Sequence, residues 1–197
     1  MKLLSKKNVL ITGGSRGIGK GIVNLLINQG ANVAFTYSSS SSLADEIVNN
    51  LNSSVNKCKA YQSDASVLAD CEKLVEDVLN DFGSIDVLIN NAGITKDNLL
   101  MRMSEDDFQK VMDINVIGAF IVLKEVANIM KKQEPQGGAI VNTASMAGIG
   151  APPNMIAYAT SKAAVKHMTV IASKDLSSFN IRVNSISPAF IGPGFMW

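Results

Sequence analysis

The segment Asn8-Val-Leu-Ile-Thr-Gly-Gly-Ser-Arg-Gly-Ile-Gly19 joins a short apolar run to a glycine-rich turn and then to an amphipathic stretch. The apolar run predicts a buried strand, and the stretch from about Arg16 to Asn28 predicts a helix that ends at Gly30. Glycines between a strand and a helix let the main chain approach a pyrophosphate, which the helix N-terminus then attracts. The spacing Gly13-x-x-x-Gly17-x-Gly19 differs from the plain G-x-G-x-x-G pattern. A tight turn that only requires positive φ angles is the alternative, but the flanking strand and helix favour a nucleotide site.

The rest of the chain repeats this alternation of short apolar runs and longer amphipathic stretches. Strands are predicted over about residues 8–12, 32–37, 57–62, 85–90, 139–143 and 181–186. Helices are predicted over about 16–28, from the serine run 38–42 to 51, and over 67–80, 105–132 and 154–178. Strands that are apolar throughout and alternate with helices indicate a parallel sheet covered on both faces. The sequence therefore predicts a single α/β domain over residues 1–197, with a doubly wound sheet.

Composition and charge exclude several classes of protein. Hydrophobic residues make up 47% of the chain and charged residues 18%, which is typical of a globular domain. The net charge of +1 gives no electrostatic basis for binding nucleic acid or an anionic membrane. Cys58 and Cys71 have neither metal-ligand spacing nor the count of a disulfide scaffold, so we expect reduced thiols and no metal. No apolar run reaches about 18 residues and no signal peptide precedes the first strand, so we expect a cytoplasmic protein.

A second pattern lies in Tyr158-Ala-Thr-Ser-Lys162, with Ser145 upstream. On a helix, the phenol and the ammonium lie on one face, one turn apart. Lowering a tyrosine pKa from about 10 to about 7 takes roughly 4 kcal/mol. A single ammonium about 4 Å away can supply that at an effective dielectric constant of about 20. We therefore expect a proton donor that works near neutral pH, with Ser145 polarising a carbonyl group. Tyr-x-x-x-Lys alone is common, and an ordinary surface helix is the alternative.

The residues after the second predicted strand indicate which dinucleotide binds. A carboxylate at this point would hold the 2′-hydroxyl of NAD. Here the stretch Phe35-Thr-Tyr-Ser-Ser39 contains none, and the next carboxylate is Asp45. Arg16 and the hydroxyl of Ser38 are suited to a 2′-phosphate instead. The sequence therefore predicts NADP(H) rather than NAD(H).

Taken together, these motifs resemble the short-chain dehydrogenase/reductase family. The motifs that match, in order and over nearly the whole chain, are Thr12 to Gly19, Asp64-Ala65, Asn90-Asn91-Ala92-Gly93, Asn115, Ser145, Tyr158 with Lys162, and Pro188. The resemblance implies a Rossmann fold with strand order 3-2-1-4-5-6.

The resemblance also implies a role for each matching residue. Tyr158 transfers a proton, Ser145 orients the substrate carbonyl, Lys162 holds the nicotinamide ribose, and Asn115 holds a water that connects to the lysine. The expected catalytic residues are thus Asn115, Ser145, Tyr158 and Lys162. The expected cofactor-binding residues are Gly13, Ser15, Arg16, Gly17, Ile18, Gly19, Ser38, Asp64, Ala65, Asn91, Ala92, Gly93, Tyr158, Lys162, Pro188 and Ile191.

Different parts of the chain resemble two different groups of reductases within the family. Gly93 to Met103 and Gly30 to Tyr37 resemble the 3-oxoacyl-[acyl-carrier-protein] reductases of fatty-acid synthesis. Asn142 to Gly148 and Ser187 to Trp197 resemble reductases of sugars, polyols and other free carbonyl compounds. A carrier-bound 3-oxoacyl thioester is therefore the expected substrate, with a polyol or sugar as the alternative. A third possibility is a module that binds NADPH without turnover.

The resemblance implies further structure beyond Trp197, because family members usually continue into substrate lid helices and a seventh strand. We therefore expect either a fragment or a protein without a complete substrate pocket. The helices that contain Asn115 and Tyr158 usually pair with their copies in a second subunit. The expectation is a homodimer or homotetramer that binds NADPH and binds substrate weakly.

Overall fold

Six parallel strands form one sheet in the computed structural model, which describes residues 2–52 and 56–191. The strand order is β3-β2-β1-β4-β5-β6, as the resemblance implied. The strands are β1 (Asn8–Ile11), β2 (Asn32–Tyr37), β3 (Cys58–Gln62), β4 (Val87–Asn90), β5 (Gly138–Thr143) and β6 (Ile181–Ile186). The order reverses between β1 and β4, so a crevice opens at their carboxyl ends. The last part of the Ser187–Trp197 motif, residues 192–197, lies outside the described residues.

Helices cover both faces of the sheet. They are α1 (Gly17–Asn28), α2 (Ser41–Leu51), α3 (Leu68–Phe82), α4 (Glu105–Met112), α5 (Ala119–Lys132), α6 (Ala147–Gly150) and α7 (Ile156–Asp175). One buried cluster joins α1 and α2 to Val9, Val33 and Phe35, and a second joins α3 and α5 to Leu10, Leu88 and Ile140. Successive strand residues thus point to opposite faces and both faces are apolar, as expected for a doubly wound sheet.

The predicted continuous helix over 105–132 is interrupted, and this prediction was wrong in detail. A π-helical segment, Asp113–Gly118, separates α4 from α5. It contains Asn115, whose side chain is only 1% exposed. A Cβ added to Gly118 would lie 2.1 Å from the carbonyl oxygen of Ala65, so glycine lets this segment approach the loop after β3. Hydrophobic periodicity does not reveal one widened turn, because the apolar face continues through it.

Other structural expectations concern the cysteines and membranes. Cys58 and Cys71 are buried and not joined in a disulfide, as expected for reduced thiols. Within the described ranges 2–52 and 56–191, no helix has the length and apolarity needed to span a membrane.

Candidate active site

The glycine turn after β1 packs against the loop after β4. Gly13 has a φ angle of +69°, and a Cβ there would lie 2.9 Å from the Cα of Ala92. At Gly19, a Cβ would lie 2.0 Å from the carbonyl oxygen of Gly13. Contacts this close leave no space for a side chain. The glycines therefore permit the turn to fold tightly between β1 and α1.

Threonine and asparagine side chains hold this turn in place, a role that the sequence analysis did not assign. The Thr12 hydroxyl accepts hydrogen bonds from the main-chain N–H groups of Asn91 and Ala92, both at 3.0 Å. The Asn91 amide donates to the carbonyl oxygens of Thr12 and Gly13, at 3.2 and 3.1 Å. Thr36 Oγ1 accepts from Gly13 N at 2.9 Å. The feature of the sequence that could have predicted this role is the presence of polar residues at the ends of otherwise apolar strands.

The N-terminus of α1 has the properties of an anion site. The helix begins at Gly17, Arg16 precedes it without a side-chain cap, and its first turn has no acidic residue. Gly17 has a φ angle of +53°, and a Cβ at this position would meet no atom within 4 Å. The first main-chain N–H groups of a helix have no internal partner. This end of the helix therefore suits the diphosphate of a nicotinamide dinucleotide, the cofactor that the resemblance implies.

A cavity of about 780 Å³ extends along the carboxyl ends of the strands from this turn. It brings together every predicted site residue except Asn115. Those residues are Gly13, Ser15, Arg16, Gly17, Ile18, Gly19, Ser38, Asp64, Ala65, Asn91, Ala92, Gly93, Ser145, Tyr158, Lys162, Pro188 and Ile191. The walls also include residues that were not predicted, among them Thr36, Ser39, Ser40, Lys110, Thr143, Met146, Pro152, Met155 and Phe190.

One end of the cavity combines hydroxyl groups, an arginine and Asp64. Arg16 and Ser38 are both exposed here, and Ser39 and Ser40 also line the wall. The side-chain hydroxyl of Ser66 donates to Asp64 Oδ1 at 2.7 Å, and this bond contributes most to a lowered pKa of the Asp64 carboxyl. Asp64 is therefore a fixed carboxylate near the end of β3, whereas the end of β2 presents hydroxyls.

At the other end, Lys162 is buried beneath Tyr158. The lysine is 4% exposed and its Nζ donates to the carbonyl oxygen of Thr143 at 2.7 Å. Burial lowers the pKa of Lys162 to about 8, because charging an amine away from water is unfavourable. The Nζ atom lies 5.8 Å from the centre of the Tyr158 ring. The two groups therefore share one face of α7, as their spacing predicted.

The pKa of Tyr158 differs from the expectation. Burial raises this pKa above its usual value, a side-chain hydrogen bond with Ser145 acts in the opposite direction, and the charge of Asp97 raises it further. The prediction that Lys162 alone brings the tyrosine into the neutral range was therefore wrong for this structure. The physical reason is that the phenol is itself removed from water, which penalises its anion. In this state Tyr158 is a protonated hydroxyl, ready to donate.

Asn115 lies behind the cavity and does not line it. Its Nδ2 donates to Ile94 O and to Ser161 Oγ, both at 2.9 Å, and its Oδ1 accepts from Ile94 N at 2.8 Å. A Cβ added to Gly93 would lie 3.2 Å from Asn115 Oδ1 and 3.4 Å from Lys162 Nζ. The Asn115 side chain thus holds the loop after β4 against α7, close to the lysine.

A buried polar network beneath the site was also missed by the sequence analysis. Asn90 Nδ2 donates to Asn142 Oδ1 at 3.0 Å, across neighbouring positions of β4 and β5. Asn142 Nδ2 in turn donates to Thr169 Oγ1 on α7 at 2.9 Å. The neighbouring hydroxyl of Thr143, which lines the cavity, is buried without a hydrogen-bond partner in the described residues. Such an orphaned group is consistent with a site that binds a polar ligand.

Comparisons with known proteins agree with this geometry. Residues 7–196 match the family described as short chain dehydrogenase. The chain therefore belongs to the short-chain dehydrogenase/reductase family, whose members are oxidoreductases.

Several sequence relatives carry the name 3-oxoacyl-[acyl-carrier-protein] reductase FabG. The protein of Staphylococcus epidermidis is 39% identical over 185 residues, which span 94% of this chain and 75% of the relative. The protein of Thermotoga maritima is 40% identical over 188 residues, which span 95% of this chain and 75% of the relative.

Solved structures are similar as well. NAD⁺-bound xylitol dehydrogenase superimposes with a TM-score of 0.93 at 40% identity, over 100% of this chain and 75% of that one. A short-chain dehydrogenase from Burkholderia cenocepacia in complex with NADP gives a TM-score of 0.88 at 34% identity, over 94% of this chain and 74% of that one.

Proposed function

We propose that the protein is an NADPH-dependent carbonyl reductase that acts on 3-oxoacyl thioesters. The observation that carries this proposal is the cavity of about 780 Å³, with the uncapped N-terminus of α1 at one end and Ser145, Tyr158 and Lys162 at the other. A dinucleotide bound along the strand ends would place its reactive part at that second end.

The side chains supply the acid half of a carbonyl reduction. NADPH, when bound, supplies the hydride that adds to the carbonyl carbon. Tyr158 donates its proton to the carbonyl oxygen, and Ser145 donates a hydrogen bond to the same oxygen. The ammonium of Lys162 stabilises the tyrosinate that remains, because a positive charge in a water-poor site favours a nearby anion. A ketone, a hydride and a proton thus give an alcohol, and the tyrosinate takes its proton back from solvent.

The preference for NADPH rests on the end of β2. Ser38, Ser39 and Ser40 line the cavity there without a carboxylate, and Arg16 faces the same region. A guanidinium and hydroxyls can bind a phosphate, whereas a carboxylate would repel it.

Support for an acyl substrate comes from the wall beside Ser145 and Tyr158. Met146, Pro152, Met155 and Phe190 line this part of the cavity. These side chains offer apolar surface and no hydrogen-bond donors, which suits a hydrocarbon chain better than a polyol. The FabG relatives, at 39–40% identity, point to the same substrate class.

A polyol or sugar is the second candidate substrate. It is favoured by the similarity to xylitol dehydrogenase, which extends over the whole chain at 40% identity. Thr95 lines the cavity and donates to Asp97, so a hydroxyl-binding pair is available at the mouth.

The test is a substrate panel with NADPH, read as loss of the reduced coenzyme. Acetoacetyl and longer 3-oxoacyl thioesters are compared with xylulose and other keto sugars at equal concentrations. We expect turnover with the thioesters and a kcat/KM at least about tenfold lower with the sugars, since an apolar wall cannot pair their hydroxyls. Faster sugar reduction would establish the second candidate. Binding of NADPH without turnover of any ketone would indicate a non-catalytic module.

A further inference from the structure

Ser161 occupies a buried position between the two central residues of the site. It lies three residues after Tyr158 and one before Lys162 on α7, and it is 0% exposed. Its hydroxyl donates to the main-chain carbonyl oxygen of Tyr158 at 2.7 Å and accepts from Asn115 Nδ2 at 2.9 Å. The Ser161 hydroxyl therefore uses its one hydrogen-bond donor and one of its acceptor positions.

Through this hydroxyl, the π-helical segment contacts the backbone of the proposed proton donor. The Asn115 side chain has all of its polar atoms bound, two to Ile94 and the remaining N–H to Ser161. Its amide is thus a rigid bridge from the loop after β4 to α7. No other side chain in the described residues hydrogen-bonds the Tyr158 carbonyl.

The first turn of α7 needs such support. The helix begins at Ile156, and its N-cap residue, Met155, makes no side-chain cap. Tyr158 lies in this uncapped turn, where helices fray most easily. A displacement of about 1 Å in a reacting group is sufficient to reduce a rate about a hundredfold.

We propose that Ser161 is a positioning residue, which fixes the Tyr158 phenol in the cavity by tying its main chain to Asn115. This inference rests on the proposed function, because it assumes that Tyr158 is the proton donor.

Thr169 provides a matched control on the same helix. It is 4% exposed, its hydroxyl donates to Val165 O at 2.8 Å, and it accepts from Asn142 Nδ2 at 2.9 Å. This is the bonding pattern of Ser161, two turns further from Tyr158. Loss of either hydroxyl leaves one buried asparagine amide unpaired, so the thermal midpoints should fall by similar amounts.

The first experiment compares Ser161→Ala, Ser161→Thr and Thr169→Val in the wild-type and Tyr158→Phe backgrounds. We expect Ser161→Ala to lower kcat about tenfold or more with a nearly unchanged dissociation constant for NADPH. Ser161→Thr, which keeps the hydroxyl, should retain most of the rate, and Thr169→Val should lower kcat by less than about twofold. In the Tyr158→Phe background, Ser161→Ala should change the residual rate by less than about twofold, because its effect passes through the missing phenol.

Equal losses of kcat in Ser161→Ala and Thr169→Val would overturn the proposal. The proposal would also be overturned if Ser161→Ala lowered kcat as much in the Tyr158→Phe background as it does in the wild-type background. If Ser161→Ala does not fold, the proposal stands or falls on Ser161→Cys, which keeps the volume but is a poor hydrogen-bond acceptor and should show the same loss.

A second measurement requires no turnover and separates failure of this inference from failure of the proposed function. Ultraviolet titration, with the Tyr158→Phe signal subtracted, reports ionisation of the Tyr158 phenol alone. Burial is the main cause of its raised pKa, so a loosened phenol should titrate at lower pH. We expect Ser161→Ala to move this pKa down towards 10 and Thr169→Val to leave it in place. An unchanged titration in Ser161→Ala would refute the positioning role, whatever the substrate panel shows.

Discussion

Lys162 is a single positive charge placed where almost no water reaches it. Its ammonium donates a hydrogen bond to the Thr143 carbonyl, yet burial still lowers its pKa to about 8 from the usual 10.5. The amine remains mostly protonated at neutral pH, as the proposed stabilisation of a tyrosinate requires. The buried charge lowers the free energy of unfolding, since the unfolded chain binds the same proton more tightly than the folded chain does.

This shift predicts a pH dependence of stability with a definite sign. Between about pH 8 and 10.5 the unfolded lysine is protonated while the folded one loses its proton, so the free energy of unfolding rises with pH. From about pH 7.5 to about pH 9.5 the gain should be about 1–2 kcal/mol in wild type relative to Lys162→Met. Urea unfolding of both proteins without coenzyme measures it. Lys174→Met, at an exposed lysine of the same helix, should behave as wild type. If the free energy of unfolding depended on pH in the same way in wild type and in Lys162→Met, the burial of a charged amine would be contradicted.

At the scale of single residues, the sequence predicted that Tyr158 and Lys162 lie close together. It did not predict the burial and the hydrogen bonds that hold each side chain in place. Tyr158 and Lys162 share a face because helical spacing places them there. The pKa of Tyr158 could not be predicted, because it depends on burial by distant segments. For Asn115, a match to the family motif did not reveal that all its polar side-chain atoms are engaged by Ile94 and Ser161.

At the scale of elements, the proposed preference for NADPH rests on the end of β2. A carboxylate introduced by Ser38→Asp should repel a 2′-phosphate and attract a ribose hydroxyl. We expect the ratio of affinities for NADPH and NADH to fall about tenfold, which corresponds to about 1.4 kcal/mol. Titration of each reduced coenzyme into the variant measures this ratio.

The control for this change is Ser42→Asp. Ser42 is exposed in the first turn of α2, four residues further along, and does not line the cavity. The variant gains the same charge and should keep the wild-type ratio. An unchanged ratio in Ser38→Asp would mean that the phosphate is recognised by other residues.

Element order and sheet topology could be predicted because they follow from local patterns. Apolar runs such as β1 and β4 are buried on both faces, and parallel strands joined by helices permit few topologies. The π-helical segment could not be predicted, because the apolar face continues through its widened turn, and the close approach of Gly118 to Ala65 joins segments far apart in sequence. Nor could the network from Asn90 through Asn142 to Thr169, since it joins residues far apart in sequence.

For the whole molecule, exposed apolar side chains on two helical segments support the expected self-association. Ile117, Phe120, Val170 and Ile171 are between 45% and 50% exposed. Their helices are those that the resemblance pairs across a two-fold axis. We expect at least a dimer by light scattering, and a shift to monomer in Phe120→Glu, because a buried unpaired carboxylate is unfavourable.

Leu25→Glu is the control for that shift. Leu25 is 60% exposed on α1, away from these helices, so its variant should remain associated. A wild-type protein that is monomeric at all concentrations would refute the pairing.

Isotope transfer from deuterated NADPH tests the proposed carbonyl reduction most directly. The wild-type protein is incubated with NADPH labelled at the transferring carbon and a 3-oxoacyl thioester, and the product is examined by mass spectrometry. We expect one deuterium on the carbon that bears the new hydroxyl. We also expect a rate at least about a hundredfold lower in Tyr158→Phe, with NADPH binding retained. Tyr61→Phe, which removes a remote hydroxyl bonded to Asp81, should transfer deuterium at the wild-type rate. Binding of NADPH without label in any product, or more than about a tenth of the wild-type rate in Tyr158→Phe, would contradict the proposed carbonyl reduction.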